Sequence, residues 1–396
     1  MTAPPGALRR SPRMDAIQAP IVALVGDLIR QTPGTISLGQ GVVHYGPPPA
    51  AVAAAAGAAG QAATHQYQDA SGHPALLHEI DGKLRRDNGI DVRRGSRIMV
   101  TAGGNMAFTH AVLAVTEPGD EVILPAPFYF NHEMAVQMFG CRAVPVPTDA
   151  DYQLDVSAVR AAITGRTRAV VTVSPNNPTG VVFSERALGE LNSLCRERGI
   201  YHISDEAYEY FTYGRARHVS PGSFDDAEQH TISLYSLSKT YGMAGWRIGY
   251  MVYPERLASA MVKIQDTILI CPPVLSQVLA AAAMAHGPSY CRQHLETLVE
   301  VRDVVFGALQ SLEPLCSVPP ADGAFYCCLR VNTAADAMRV TERLIRDHKV
   351  AVIPGTAFGL TDGCYFRVAY GALEKATVAE GIGRLVTGLR AILTSG

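Results

Sequence analysis

The chain has 396 residues, of which 48% are hydrophobic and 18% charged, and its formal net charge is −2. That length suits two domains with sizeable cores, and the composition excludes a disordered chain. A near-neutral charge without a long basic run excludes nucleic acid or anionic membrane as the main partner.

The eight cysteines show no CxxC pair and no metal-type cluster. They read as small core hydrophobes in a reducing compartment, so a cytoplasmic protein without metal is expected. Met1–Arg13 is rich in Pro and Arg, lacks the apolar stretch of a signal peptide, and reads as a flexible arm. Residues 50–63 are Ala-rich but broken by glycines, too short and weakly apolar to span a bilayer.

The first periodic segment is Asp15–Arg30, whose Ile17, Ile21, Leu24, Val25 and Leu28 share one helical face. Thr35–Gly41 reads as a short strand running into glycines, followed by a loop over Gly41–Pro47. These glycines allow close backbone approach to a ligand, or simply a strand exit. Two helices are expected between Val52 and Asp87, flanking Tyr67–Gly72. Strands are then expected at Arg97–Val100, Glu121–Leu124, Ala143–Pro147, Ala169–Val173, Gly199–Ser204, Thr231–Tyr235 and Arg247–Val252, with amphipathic helices between. This alternation predicts an α/β fold with a mostly parallel sheet, whose ligand sits at the C-terminal strand ends.

After Glu255 the pattern turns helical, over Leu257–Gln265, Val274–Ala285 and Ser289–Leu312. Strands at Ala324–Leu329, Val350–Ile353 and Tyr365–Val368 follow, with helices at Ala335–His348 and Leu373–Leu393. The expected division is a large domain over residues 48–286. A smaller α+β domain would be built from residues 1–47 and 287–396.

Five stretches carry chemistry. Ser236-Leu237-Ser238-Lys239 follows an apolar strand, and Arg247 lies eight positions on. Burial lowers the pKa of such a lysine and frees its amine for an aldehyde, while Ser236, Ser238 and Arg247 suit a phosphate. A solvated loop lysine is the bland alternative. Gly103-Gly104-Asn105 opens a helix and suits a phosphate or a plain turn. Asn177 lies in Asn176-Asn177-Pro178-Thr179-Gly180, a turn made rigid by proline and glycine. Asp205 ends a buried strand and needs a partner: a pyridinium nitrogen, a structural arginine or a helix end. Arg367, inside Phe366-Arg367-Val368, needs an anion, which a substrate carboxylate or a structural acid supplies.

Taken together, Asn177-Pro178-Thr179-Gly180, Ser204-Asp205-Glu206-Ala207-Tyr208, Ser236-Leu237-Ser238-Lys239 and Gly245-Trp246-Arg247-Ile248-Gly249 resemble the fold-type I, class I/II aminotransferases. The resemblance spans nearly the whole chain. It implies a mostly parallel seven-stranded sheet in the large domain, and pyridoxal 5'-phosphate as cofactor. It also implies ping-pong transfer of an amino group between an amino acid and a 2-oxo acid.

The family pattern implies that Lys239 attaches the coenzyme and then shuttles a proton between the substrate α-carbon and the coenzyme C4′. Asp205 would pair with the ring nitrogen, Asn177 and Tyr208 with the phenolic oxygen, and Tyr129 would stack on the ring. Gly103, Gly104 and Asn105, with Ser236 and Arg247, match the phosphate cup. Tyr67 matches a tyrosine that reaches the phosphate of a neighbouring subunit, which implies a homodimer with shared active sites. Arg367 matches the clamp for the α-carboxylate, with Gly41 and Asn177 beside it.

Further stretches, such as Gln40-Gly41-Val42-Val43 and Phe128-Tyr129-Phe130-Asn131, are similar to the plant aromatic aminotransferases that use methionine as donor. Dicarboxylate-specific relatives place an arginine ahead of a Pro-Pro pair. Here Asp266–Cys271 precedes Pro272-Pro273 without one, which favours aromatic or neutral substrates. The alternatives are an aspartate aminotransferase, or a lyase or oxidative or cyclising enzyme using the same coenzyme on an amino acid. A coenzyme-binding transcription regulator would need a DNA-binding domain, and too few residues precede the first helix for one.

Overall fold

The computed structural model describes residues 11–394. Of the arm expected over residues 1–13, positions 1–10 lie outside the described residues. The strands, in chain order, are β1 (Ile36–Ser37), β2 (Ser96–Thr101), β3 (Glu121–Ala126), β4 (Arg142–Pro147), β5 (Thr167–Val173), β6 (Tyr201–Asp205), β7 (Thr231–Ser236), β8 (Gly249–Pro254), β9 (Cys316–Ser317), β10 (Tyr326–Val331), β11 (Val350–Ala351), β12 (Ile353–Pro354) and β13 (Cys364–Ala369).

One sheet has seven strands in the order β2-β8-β7-β6-β5-β3-β4. β8 runs antiparallel to β2 and β7, and the other pairs are parallel. Side chains alternate between its faces, so both must be covered. Val122, Leu124, Val171, Ile203 and Leu234 pack on one side, against a core that includes Phe108 and Val136. Ile123 and Val170 point the other way, onto Leu188, Leu191 and Leu194 of helix Glu185–Arg198. Each fully buried Val, Leu or Ile contributes about 1.5–3 kcal/mol. Ser184 caps that helix, its Oγ accepting from the Ala187 N–H at 3.2 Å.

β12-β13-β10-β9 form a second, antiparallel sheet, and β1 pairs in parallel with β11. The expected strand Val350–Ile353 is therefore two pieces serving different sheets. Other boundaries also differ from expectation. The helix expected over Asp15–Arg30 is broken into Arg13–Ala16 and Ile21–Arg30, because the backbone turns extended at Ile17 (ψ 133°) and stays non-helical at Pro20 (ψ 97°). Gly199 is not a strand residue but the left-handed cap of helix Glu185–Arg198, at φ 64°. Arg247 also lies off its expected strand, at φ 50°, two residues before β8 begins.

The parallel strands β5, β6 and β7 end side by side, which brings Val173, Asp205 and Ser236 to one edge. Behind this edge lies a buried polar network. Lys83 Nζ donates to Glu209 Oε2 at 2.5 Å and Asn88 Oδ1 at 2.7 Å. Asn88 donates to Ser220 Oγ at 2.7 Å, Ser220 donates to Glu206, and His218 Nε2 lies 2.9 Å from Glu206 Oε2. Glu206, Glu209 and His218 have metal-like spacing, but Glu209 already holds the Lys83 ammonium. Lys83→Met leaves Glu209 buried without its counter-charge, so it should lower unfolding free energy by about 3–5 kcal/mol. Urea denaturation reads this directly, and an unchanged midpoint would contradict it.

Candidate active site

β7 is buried along its whole length and delivers Ser236 to the sheet edge. Ser236 Oγ accepts from the Ser238 N–H at 3.3 Å and so starts the single helical turn Leu237–Thr240. That turn carries Lys239 into a cavity of about 260 Å³. The amine stands 5.7 Å from the centre of the Tyr208 ring. Burial, opposed by Asp205 and helped by Arg247 and Arg367, brings its pKa down from 10.5 to about 8.

Asp205 occupies the end of β6. Its Oδ1 accepts from the Ala207 N–H at 3.1 Å, and Oδ2 lies 3.1 Å from His132 Nε2. His132 is buried on helix Phe130–Met138, stacked on Phe108 at 4.0 Å and edge-on to Tyr129 at 5.2 Å. The carboxylate is therefore held from behind while it lines the cavity in front. Among the described residues no arginine pairs with it, which removes the structural-arginine alternative.

Arg367 lies buried on β13. Nη1 donates to Asn177 Oδ1 at 2.9 Å and Nη2 to the Gly39 carbonyl at 2.7 Å. The guanidinium sits 4.8 Å from the Tyr326 ring centre and 5.0 Å from that of Phe358. It has no acidic partner among the described residues, and its Nε has no hydrogen-bond partner. A buried cation with donors to spare is costly unless an anion comes to it. Thus the structural salt bridge open from sequence is absent, and the fork faces a cavity of ligand size.

Asn177 is held by its loop. Asn176 Oδ1 accepts from the Thr179 N–H at 3.1 Å and the Thr179 hydroxyl at 2.8 Å. Gly180 has φ +76°, and a Cβ there would stand 2.3 Å from the Tyr326 carbonyl oxygen. Only glycine lets this loop close on β10. The same contact brings Tyr326 up to Tyr208, and their hydroxyls lie 2.8 Å apart.

The other end of the cavity is built for an oxyanion. Gly103 has φ +86° and precedes helix Gly104–Val115, whose N-terminal amides carry partial positive charge. Arg247 closes over it; a Cβ on Gly103 would lie 2.6 Å from Arg247 Nη2. Gly104, Asn105, Ser236 and Ser238 line this end as well. Tyr129 forms an adjoining wall, its hydroxyl accepting from Asn131 Nδ2 at 2.7 Å.

The fold thus gathers the sequence-derived residues in one cavity, with two exceptions. Gly103 stands just behind it, against Arg247. Tyr67 is 79% exposed and does not line the cavity of its own chain. The segment 266–271 does not line it either. Sequence reading missed His132, Tyr326, Val22, Val42 and Phe130. His132 directly follows the Phe128–Asn131 run but carries no motif of its own. Val22 reaches the cavity from helix Ile21–Arg30, far away in sequence.

The site fits pyridoxal phosphate. It offers an amine near neutrality, a braced carboxylate, an aromatic wall and an anion cup in one chamber.

The profile of the aminotransferase class I and II family matches residues 33–385. The chain is 34% identical over 391 residues to aromatic aminotransferase ISS1 of Arabidopsis thaliana, covering 95% of each chain. It is 34% identical over 336 residues to a probable aspartate/prephenate aminotransferase of Aquifex aeolicus, covering 83% of this chain and 84% of the other. Aspartate aminotransferase from Thermus thermophilus, solved with maleate, superposes with a TM-score of 0.89 at 29% identity, covering 96% of this chain and all (100%) of that one.

Proposed function

The chain belongs to the class I and II aminotransferases, and from that premise we propose that its amino donor carries an aromatic or neutral side chain. The reaction itself is pyridoxal-phosphate-dependent transfer of an amino group between an amino acid and a 2-oxo acid. The coenzyme, when bound, supplies the aldehyde that takes up the amino group and a ring that accepts electrons from the substrate α-carbon.

The chain's residues supply everything else. Lys239, neutral above about pH 8, would hold the coenzyme through its amine and, as the acid–base group nearest the reacting carbon, would carry the proton that leaves the substrate α-carbon. Asp205, held by His132, would pair with the ring nitrogen and keep a proton on it. Arg367 occupies Asn177 Oδ1, which leaves the Asn177 amide hydrogens to donate, with the Tyr208 hydroxyl, to the phenolic oxygen. Gly103, Gly104 and Asn105 with Ser236, Ser238 and Arg247 hold the phosphate, and Tyr129 covers the ring. The spare donors of Arg367 take the α-carboxylate, beside Gly41.

One observation carries the side-chain preference. The cations lining the cavity are Lys239, Arg247 and Arg367, and each has a task. Val22, Val42 and Phe130 are apolar and Asn105 is neutral, so among the described residues the cavity has no further cation for a second carboxylate. A panel of amino donors, read as bleaching of coenzyme absorbance, tests this. Phenylalanine, tyrosine or methionine should react faster than aspartate. A preference for aspartate would move the enzyme to the aspartate branch named among its relatives. Release of ammonia, pyruvate or peroxide in place of oxo acid would mark lyase or oxidative chemistry.

A pH dependence follows from Lys239. Below about pH 8 its amine is protonated and cannot add to an aldehyde. The rate at which apoenzyme takes up coenzyme should therefore rise as pH passes about 8. A flat profile would contradict the lowered pKa.

Tyr67 projects from a loop tied to the 269–273 turn, where the Gln68 N–H meets Cys271 Sγ at 3.4 Å. Its exposure supports a homodimer in which it serves the partner's phosphate cup; light scattering should give twice the chain mass. The eight cysteines are unpaired, which supports a cytoplasmic location. No helix of the described residues is long and apolar enough to cross a membrane. The β1–β11 pairing supports grouping residues 1–47 with 287–396, apart from 48–286.

A further inference from the structure

We propose that Tyr45 is a positioning residue for Lys239, holding the lysine's backbone carbonyl and so fixing where its amine stands. The Tyr45 hydroxyl donates to the Lys239 carbonyl at 2.9 Å. Cys291 Sγ lies farther off, at 3.7 Å, so the carbonyl is the better acceptor. The phenol ring is fixed on several sides. It stacks on His294 at 3.9 Å with the planes 7° apart, and meets His44 and Tyr290 edge-on at 5.5 and 5.9 Å. Burial raises the phenol pKa far above its usual value, so the hydroxyl remains a donor.

The backbone of the same loop adds a second contact. Gly242 has φ +62°, and a Cβ there would lie 2.3 Å from the Tyr45 carbonyl oxygen and 2.7 Å from Gly46 C. Tyr290 Oη donates to the Gly46 carbonyl at 2.6 Å. The loop is thus pressed onto the 239–242 turn by helix Ser289–Gln310 behind it.

Lys239 needs this support because its helix is one turn long. Such a turn has little cooperative stability of its own. Its Lys239 carbonyl otherwise accepts from neighbouring backbone amides, Gly242 among them at 3.3 Å. The Tyr45 hydroxyl is a shorter bond from outside the turn. The segment that carries it also begins at Gly39, whose carbonyl accepts from Arg367. One stretch of chain therefore touches both the carboxylate clamp and the attachment lysine.

This inference rests on Lys239 as the coenzyme's attachment point. Tyr45→Phe removes the hydroxyl and keeps the stacked ring. In the coenzyme-loaded variant, the midpoint of the absorbance pH titration should shift by about half a unit, the scale of one lost hydrogen bond. The shift follows from an amine held less strictly beside Asp205, which raises its pKa, and Arg247 and Arg367, which lower it. The kcat should fall about 5–10-fold with KM for the amino acid within about two-fold, as for a misplaced catalytic group. Cys291→Ala should change neither. An unmoved titration midpoint in Tyr45→Phe overturns the proposal, whatever happens to Tm, because a purely structural role would not touch it. If the wild-type protein shows no coenzyme titration at all, the attachment itself is wrong, and this inference goes with it.

Discussion

Lys239→Ala should abolish turnover and leave the fold intact. The loss should be at least about 10⁴-fold, the upper range for one acid–base group, since this amine also attaches the coenzyme. Stability should not suffer in proportion. The folded pKa of Lys239 lies near 8, below the usual 10.5. Between those values the unfolded chain binds a proton that the folded chain lacks, so at lower pH the folded state bears the cost of a buried charge. Removing the amine removes that cost, against a cavity where the stem was. Circular dichroism and Tm should stay near wild type, and the protein should bind coenzyme without the visible band of a covalent adduct. Wild-type turnover in this variant would defeat the mechanism.

Arg367→Ala should act on substrate binding. Loss of a buried, hydrogen-bonded charge pair is worth about 2–5 kcal/mol, or roughly 30-fold to several thousand-fold in kcat/KM. Most of it should appear as a higher KM for the amino acid. Arg367→Lys should recover only part, since an ammonium lacks the planar fork. The discriminating measurement uses an amine without a carboxylate. On that substrate the alanine variant and wild type should react alike. An equal loss on both substrates would show that Arg367 merely supports Asn177 and Gly39, to which it also donates.

Much of the site was legible because its residues sit in short, spaced runs. Lys239 follows an apolar strand, Asp205 ends another, and Arg367 interrupts a third. A charged group in an apolar strand needs a partner, and that need is visible without coordinates. His132 is different. It lies on a helix whose pattern is unremarkable, and only packing shows it 3.1 Å from Asp205. Tyr45 and Tyr326 are likewise ordinary aromatics in sequence. Their roles come from contacts across about 190 and 120 positions, respectively.

By itself, then, the chain's order of residues determined the α/β class, the mostly parallel sheet and the coenzyme, and it named the residues that the fold gathers in one cavity. The class and sheet follow from local periodicity, and the coenzyme and its residues from the chemistry of buried polar groups together with the motifs' resemblance to a known family. The tertiary structure alone decided where the first helix breaks, that Arg367 has no acid of its own among the described residues, and that His132 braces Asp205. It alone set the Tyr45 hydroxyl against Lys239. Such facts depend on which distant surfaces meet when the sheets and helices close, and no local pattern records that.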